Sequence, residues 1–209
     1  MLEPDVTITD YLLSLACVVF AAWCWRRRGT ARGWYVGFFL TLSVASLLGG
    51  TVHGFVPTGP WSEVLWCGVL ISLGGTASTM WGITGALLMS PATARRSMVV
   101  VACLFVVYVA VVLAGTRAFW ITIVAYLPAA LGMLVAYARH RQAPGPWWWG
   151  MVGVVLTFVA AGFQVGQVAL HPQWCNHNAL YHLVQAVALF GIARAAGGRI
   201  TGGNHAAGQ

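Results

Sequence analysis

Residues 97–115 read SMVVVACLFVVYVAVVLAG, nineteen positions without a charged side chain. As an α-helix, a run of this length covers the hydrocarbon core of a bilayer, about 30 Å thick. Six further runs of similar character lie at 8–25, 34–55, 62–90, 118–138, 147–170 and 178–196. Proline and glycine mark joints between them, as VPTGP at 56–60, SPA at 90–92, APGP at 143–146 and HP at 171–172. A chain crossing lipid must satisfy its backbone amides internally, so the spans are expected to be helices. The expectation is an all-α, polytopic seven-transmembrane-helix bundle, a single membrane domain over 1–209 with no linker and no internal repeat. The third run is long enough to require tilt or projection beyond the bilayer. Gly49, Gly50, Gly74 and Gly75 suit close helix contacts within spans.

A soluble domain carries roughly 25% charged residues. This chain has 7% charged and 59% hydrophobic residues, with a mean hydropathy of +0.79. All eleven basic residues are arginine. With no lysine, a retinal Schiff base is excluded. The acidic N-terminus MLEPDVTITD lacks a basic leader region, so no cleavable signal peptide is expected. The cysteines include no CxxC pair, and four fall inside apolar runs, which argues against a disulfide framework.

Numbering the loops alternately places Arg26, Arg27, Arg28, Arg32, Arg95, Arg96, Arg139, Arg141, Arg194 and Arg199 on one side. Only Arg117 falls on the other. Loops rich in arginine stay cytoplasmic, so the N-terminus is expected outside and the C-terminus inside, in a bacterial inner membrane. The cluster WRRRGTAR at 25–32 then faces anionic lipid headgroups. That accounts for a pI near 9.7 without a nucleic-acid partner. The tail GGRITGGNHAAGQ from 197 reads as flexible. Trp61, Trp120, Trp147, Trp148 and Trp149 fall at span ends, as an interfacial aromatic belt requires.

On this topology the polar residues gather at the outer side. Asp10 lies early in span 1, His53 late in span 2, Glu63 early in span 3, and Gln164 and Gln167 late in span 6. His171, Trp174, Cys175, Asn176 and His177 precede span 7. Asn178, His182 and Gln185 are spaced i, i+4, i+7 and share one helical face. Ionisable groups in a span face the bundle interior or a wet cavity. Asp10, His53, Glu63 and His182 are therefore candidates for one pocket, with Trp66, Trp81, Gln164, Gln167, Trp174 and Tyr181 as candidate substrate contacts. Plainer roles compete. Asp10 fits an N-cap, Glu63 a first-turn acid, His53 a lone interhelical hydrogen bond, and His171 and His177 interfacial loop positions.

Two histidines and a carboxylate can hold Zn2+ with an open position for water, lowering that water's pKa to about 7. Here the candidate ligands are His53, His182 and Asp10 or Glu63, with Asn178 and Gln185 orienting substrate. No HExxH motif is present.

A histidine late in span 2, an acid about ten residues on, and NALYHLVQ opening span 7 resemble the alkaline ceramidase and adiponectin-receptor superfamily. The resemblance covers the whole seven-span topology. It implies a membrane hydrolase whose zinc is held by one span-2 histidine and an HxxxH pair in span 7. A serine one turn before the first histidine and an aspartate in span 3 complete the family pattern. His53 matches the first histidine and His182 the second member of the pair. Asn178 stands where the first member belongs, Gly49 at the serine position, and Glu63 near the aspartate.

Three functions follow as expectations. The leading one is an intramembrane hydrolase of a lipid amide or ester, with zinc as candidate cofactor. Asp10 or Glu63 would shuttle the proton, and Asn178 or Gln185 would steady the oxyanion. The second is a metal-independent, acid-initiated terpenoid-type cyclase, with Asp10 or Glu63 as acid and Trp66 and Trp81 stabilising a carbocation. The third is a membrane protein that binds a lipid or small molecule without reacting.

Overall fold

The computed structural model describes residues 1–143, 145–171 and 174–198. Pro144, Pro172, Arg199 and the tail after it lie outside the described residues. The described chain forms seven α-helices: α1 (Pro4–Arg26), α2 (Arg32–Phe55), α3 (Pro60–Leu88), α4 (Pro91–Leu113), α5 (Trp120–His140), α6 (Trp147–Val165) and α7 (His177–Ala195). Helices α1, α3 and α4 begin with proline in the first turn, where the missing N–H has no helical partner to lose. Side chains cap two starts: Ser90 Oγ accepts from the Thr93 amide, and Asn176 Oδ1 accepts from the amides of Asn178 and Ala179.

Helices α1 to α6 are long and apolar enough to cross a membrane. Helix α7 matches α6 at 19 residues but carries His177, Asn178, His182, Gln185 and Arg194, which lower its hydropathy. Neighbours in the bundle run α1–α2–α3–α5–α6–α7 and back to α1, with α4 packed on α3 outside this ring. Accordingly Val112 is the one buried residue of α4, while Val99, Leu104, Val106 and Val107 are exposed. So wide an apolar surface suits hydrocarbon rather than water.

Hydroxyls join the ring from inside. Ser14 and Ser43 each donate to the other's backbone carbonyl, at 2.9 and 3.0 Å, locking α1 to α2. Thr41 and Thr76 link α2 to α3 at 2.9 Å, and the buried Tyr35 and Tyr137 hydroxyls meet at 2.8 Å between α2 and α5. Such interhelical bonds contribute on average about 0.6 kcal/mol each.

One belt assignment changes. Trp61, Trp120 and Trp148 are exposed, but Trp147 is 1% exposed and packs against the rings of Tyr137 and His140. The joint before it turns through Gly145 at φ +140°. The chain thereby re-enters the bundle with Trp147 directed into the core.

Candidate functional site

Asp10 does not cap α1. That helix starts at Pro4 behind Glu3, which puts Asp10 in its second turn, with a side chain only 7% exposed. Its Oδ1 lies 3.3 Å from Nε2 of His182, itself 11% exposed. The other ring nitrogen, Nδ1, lies 3.1 Å from Thr9 Oγ1. Adjacent residues of α1 therefore hold both nitrogens of one α7 histidine. Gly49 of α2 faces the carboxyl, where an added Cβ would make only an ordinary contact, 3.4 Å from Asp10 Oδ2.

The first residues of the chain tie α1 to two neighbours beside this pair. The Leu2 amide donates to the Gly54 carbonyl at 3.2 Å, and Glu3 Oε2 lies 3.1 Å from His53 Nδ1. Asp5 Oδ2 accepts from the Asn176 amide at 3.0 Å, so the residue that caps α7 is itself held by α1.

Asp10 and His182 line a cavity of about 100 Å³ with His53, Gln164, Asn178 and Gln185. Several waters would fit in that volume, since each needs only about 10–15 Å³ of such space. Leu13, Leu42, Val69 and Leu73 make apolar walls, and Trp66, Phe119 and Tyr181 supply aromatic ones. Gln164 Nε2 donates to Asn178 Oδ1 at 3.2 Å, which leaves the Asn178 amide nitrogen as a donor. Gln185, 2% exposed, donates through Nε2 to Thr157 Oγ1 at 3.3 Å. The Thr157 proton goes to the Gly153 carbonyl, which fixes the orientation of the glutamine amide. Gln185 Oε1 is buried without a hydrogen-bond partner. With its nitrogen directed at Thr157, Gln185 presents an acceptor, while Asn178 keeps an N–H to donate.

The site thus brings together Asp10, His53, Trp66, Gln164, Asn178, Tyr181, His182 and Gln185. It does not include Glu63, exposed in the first turn of α3, nor Gln167, exposed at φ 53° just past α6. Trp174 is 74% exposed. Trp81 lines a separate apolar cavity of about 220 Å³ between α3, α4 and α5. Glu3, Asp5, Thr9, Phe119 and Thr157 complete the site's contacts and were not among the sequence candidates. For Asp5 and Thr9 a signal existed: they lie i, i+4 to each other, and Thr9 adjoins Asp10.

The candidate zinc set of His53, His182 and Asp10 or Glu63 does not fit this arrangement. Among the described residues no three of the His, Cys, Asp and Glu side chains stand together as a metal site. His53 is turned to Glu3, and both ring nitrogens of His182 are engaged by α1.

No curated protein and no solved structure matches this chain. A family model covers residues 6–200, nearly the whole bundle. The chain belongs to that family, described as a family of unknown function (DUF6962).

Proposed function

We propose that this protein is an intramembrane acid–base enzyme that hydrolyses an amide or ester of a largely apolar, lipid-like substrate, with Asp10 and His182 moving the proton. The observation that carries this reading is the 3.3 Å contact between the two side chains, made at the wall of a cavity with apolar and aromatic sides. A water in the cavity attacks the carbonyl carbon, and the pair takes up its proton while releasing its own toward the leaving nitrogen or oxygen. The resulting oxyanion meets the Asn178 amide. As the bond to carbon breaks, the leaving nitrogen or oxygen carries off the pair's original proton, and the water's proton stays on the pair. Trp66, Tyr181 and the leucine walls hold the hydrocarbon part.

The setting belongs to the same proposal. Helix α7 is the seventh span, the N-terminus is outside, and the arginine-rich ends face the cytoplasm of a bacterial inner membrane. The substrate enters from the outer leaflet. Membrane lipids are its only partners in this reading.

The Trp66 and Phe119 rings, 6.4 Å apart beside the pair, favour acid-initiated cyclisation as a second reading. In it, Asp10 would protonate an alkene or epoxide, and the rings would stabilise the cation.

The test is turnover by the purified chain in nanodiscs, with chelator present, on panels of lipid amides, lipid esters and linear isoprenoid epoxides. Hydrolysis in chelator, reduced about a hundredfold or more in both Asp10→Asn and His182→Gln, is the expected result. Hydrolysis abolished by chelator, or unchanged in both variants, would overturn the proposal. Cyclised product with no hydrolysis would move the assignment to the second reading.

A further inference from the structure

Thr9 faces three hydrogen-bond partners at once. Its Oγ1 lies 2.8 Å from the Asp5 carbonyl, 3.0 Å from the Val6 carbonyl and 3.1 Å from Nδ1 of His182. A hydroxyl has one proton and two lone pairs. The two carbonyls can only accept, and they are the nearer partners. Inside a helix a threonine hydroxyl commonly bonds back to the carbonyls three and four residues earlier. With its proton spent there, Thr9 presents a lone pair to His182, and Nδ1 must carry the hydrogen of that contact. A neutral imidazole has a single N–H, so Nε2 is then an acceptor. Nε2 faces Asp10 Oδ1, and a carboxylate oxygen is also an acceptor. Two lone pairs do not hold each other at 3.3 Å, so a proton lies between them.

We infer that Thr9 is a positioning residue: it holds His182 in the Nδ1–H form and so makes Asp10 and His182 share one proton along the Oδ1–Nε2 contact. The inference rests on the acid–base reading above and refines it. Without Thr9 the imidazole is free to place its one hydrogen on Nε2, donate to the Asp10 carboxylate and leave Nδ1 bare. The pair would then hold no proton beyond the one an isolated imidazole carries. With Thr9, the pair releases a proton to a reacting group and becomes Asp10 carboxylate beside neutral Nδ1–H imidazole. The leaving group carries that proton away, and the proton of the attacking water restores the pair. Which nitrogen of a histidine is protonated is set by the partner of the other nitrogen, and here that partner is a hydroxyl committed to its own helix.

The experiment is nitrogen-15 NMR of the full chain in lipid bilayers with labelled histidine, the His182 signals being assigned by their loss in His182→Gln. Wild type is expected to show a protonated Nδ1 and an Nε2 in a strong hydrogen bond. Thr9→Val, nearly the same in shape but without the hydroxyl, is expected to shift His182 to the Nε2–H form, and Thr9→Ser to restore the wild-type pattern. A bare Nδ1 in wild type, or identical spectra for wild type and Thr9→Val, would overturn the inference. The wild-type spectrum decides even where Thr9→Val folds poorly. Because the readout needs no substrate, a failed turnover screen leaves it intact. A negative spectrum likewise leaves hydrolysis measurable. Once turnover is in hand, Thr9→Val should lower kcat about tenfold or more with KM nearly unchanged, and Thr9→Ser should recover it.

Discussion

Gly50 of α2 lies directly against Asp10 of α1: a Cβ at Gly50 would come within 2.9 Å of the Asp10 Cβ and 3.0 Å of the Tyr11 ring. One residue earlier, a Cβ at Gly49 would make an ordinary contact of 3.4 Å with the Asp10 carboxyl. The two glycines therefore have different duties. Gly50 lets the helices approach, whereas the position of Gly49 has room for a methyl group beside the carboxyl. Replacing a helical glycine by alanine gains up to about 1 kcal/mol from backbone entropy, whereas forcing a methyl into a packed contact costs about 1–3 kcal/mol. Gly49→Ala is expected to be neutral or slightly stabilising, and Gly50→Ala destabilising by about 1–2 kcal/mol. Thermal unfolding of both variants in the same detergent checks this. Equal effects of one sign would refute the division.

The contact between Asp10 and His182 should be visible as coupling. Residues in direct contact within one polar network show interaction energies of about 0.5–3 kcal/mol in a double-mutant cycle. The cycle built from Asp10→Asn, His182→Gln and the double variant should fall in that range. A matching cycle between Asp10 and Glu63, which lies exposed in the first turn of α3, should be additive within about 0.5 kcal/mol. Coupling of Asp10 to Glu63 as strong as to His182 would place the site elsewhere.

Asn176 stabilises α7 twice. Its side chain accepts from two first-turn amides, and its own amide donates to Asp5. Only the first contact uses the side chain. Asn176→Ala should cost about 1 kcal/mol and Asn176→Asp far less, since aspartate is an equally good cap. Asp5→Ala should add a separate loss by freeing the start of α7 from α1. Denaturant unfolding of the three variants reads all of this.

Much of the fold was legible because hydrocarbon thickness fixes helix length, and proline and glycine occur where the chain must turn. The convergence of Asp10, His53, Asn178, His182 and Gln185 on one cavity was legible for a related reason: charge sets which helix ends share a side, and helical phase sets which residues share a face. The partner choices were not legible. The first apolar run begins at residue 8, yet Pro4 starts α1 ahead of it and brings Glu3, Asp5 and Thr9 into contact with α2 and α7. That earlier start removes the N-cap role from Asp10, and it occupies the histidine that a zinc site would need. Trp66 and Trp81 read alike in sequence, but fifteen residues of helix separate them by about 22 Å along the axis. One therefore reaches the site while the other lines the cavity beneath α4.

The proposed orientation can be tested with the protein's own cysteines. Cys17 and Cys24 are buried, Cys67 lies within α3, and Cys103 is exposed midway along α4, where its surroundings in a bilayer are hydrocarbon. A maleimide needs a thiolate, which forms in water and not in lipid. Cys175 lies just before α7, its backbone paired with His171, at the end of the bundle that holds the site. A membrane-impermeant maleimide should therefore label Cys175 in right-side-out vesicles, and Cys175→Ser should abolish that labelling. The opposite end has a natural control position in Gln142, exposed after α5 beside Arg141. In a Cys175→Ser background, Gln142→Cys should react only after the vesicles are permeabilised. The reverse pattern would place the arginine-rich end outside, and the cavity would then draw its substrate from the inner leaflet while the Asp10–His182 chemistry stayed the same.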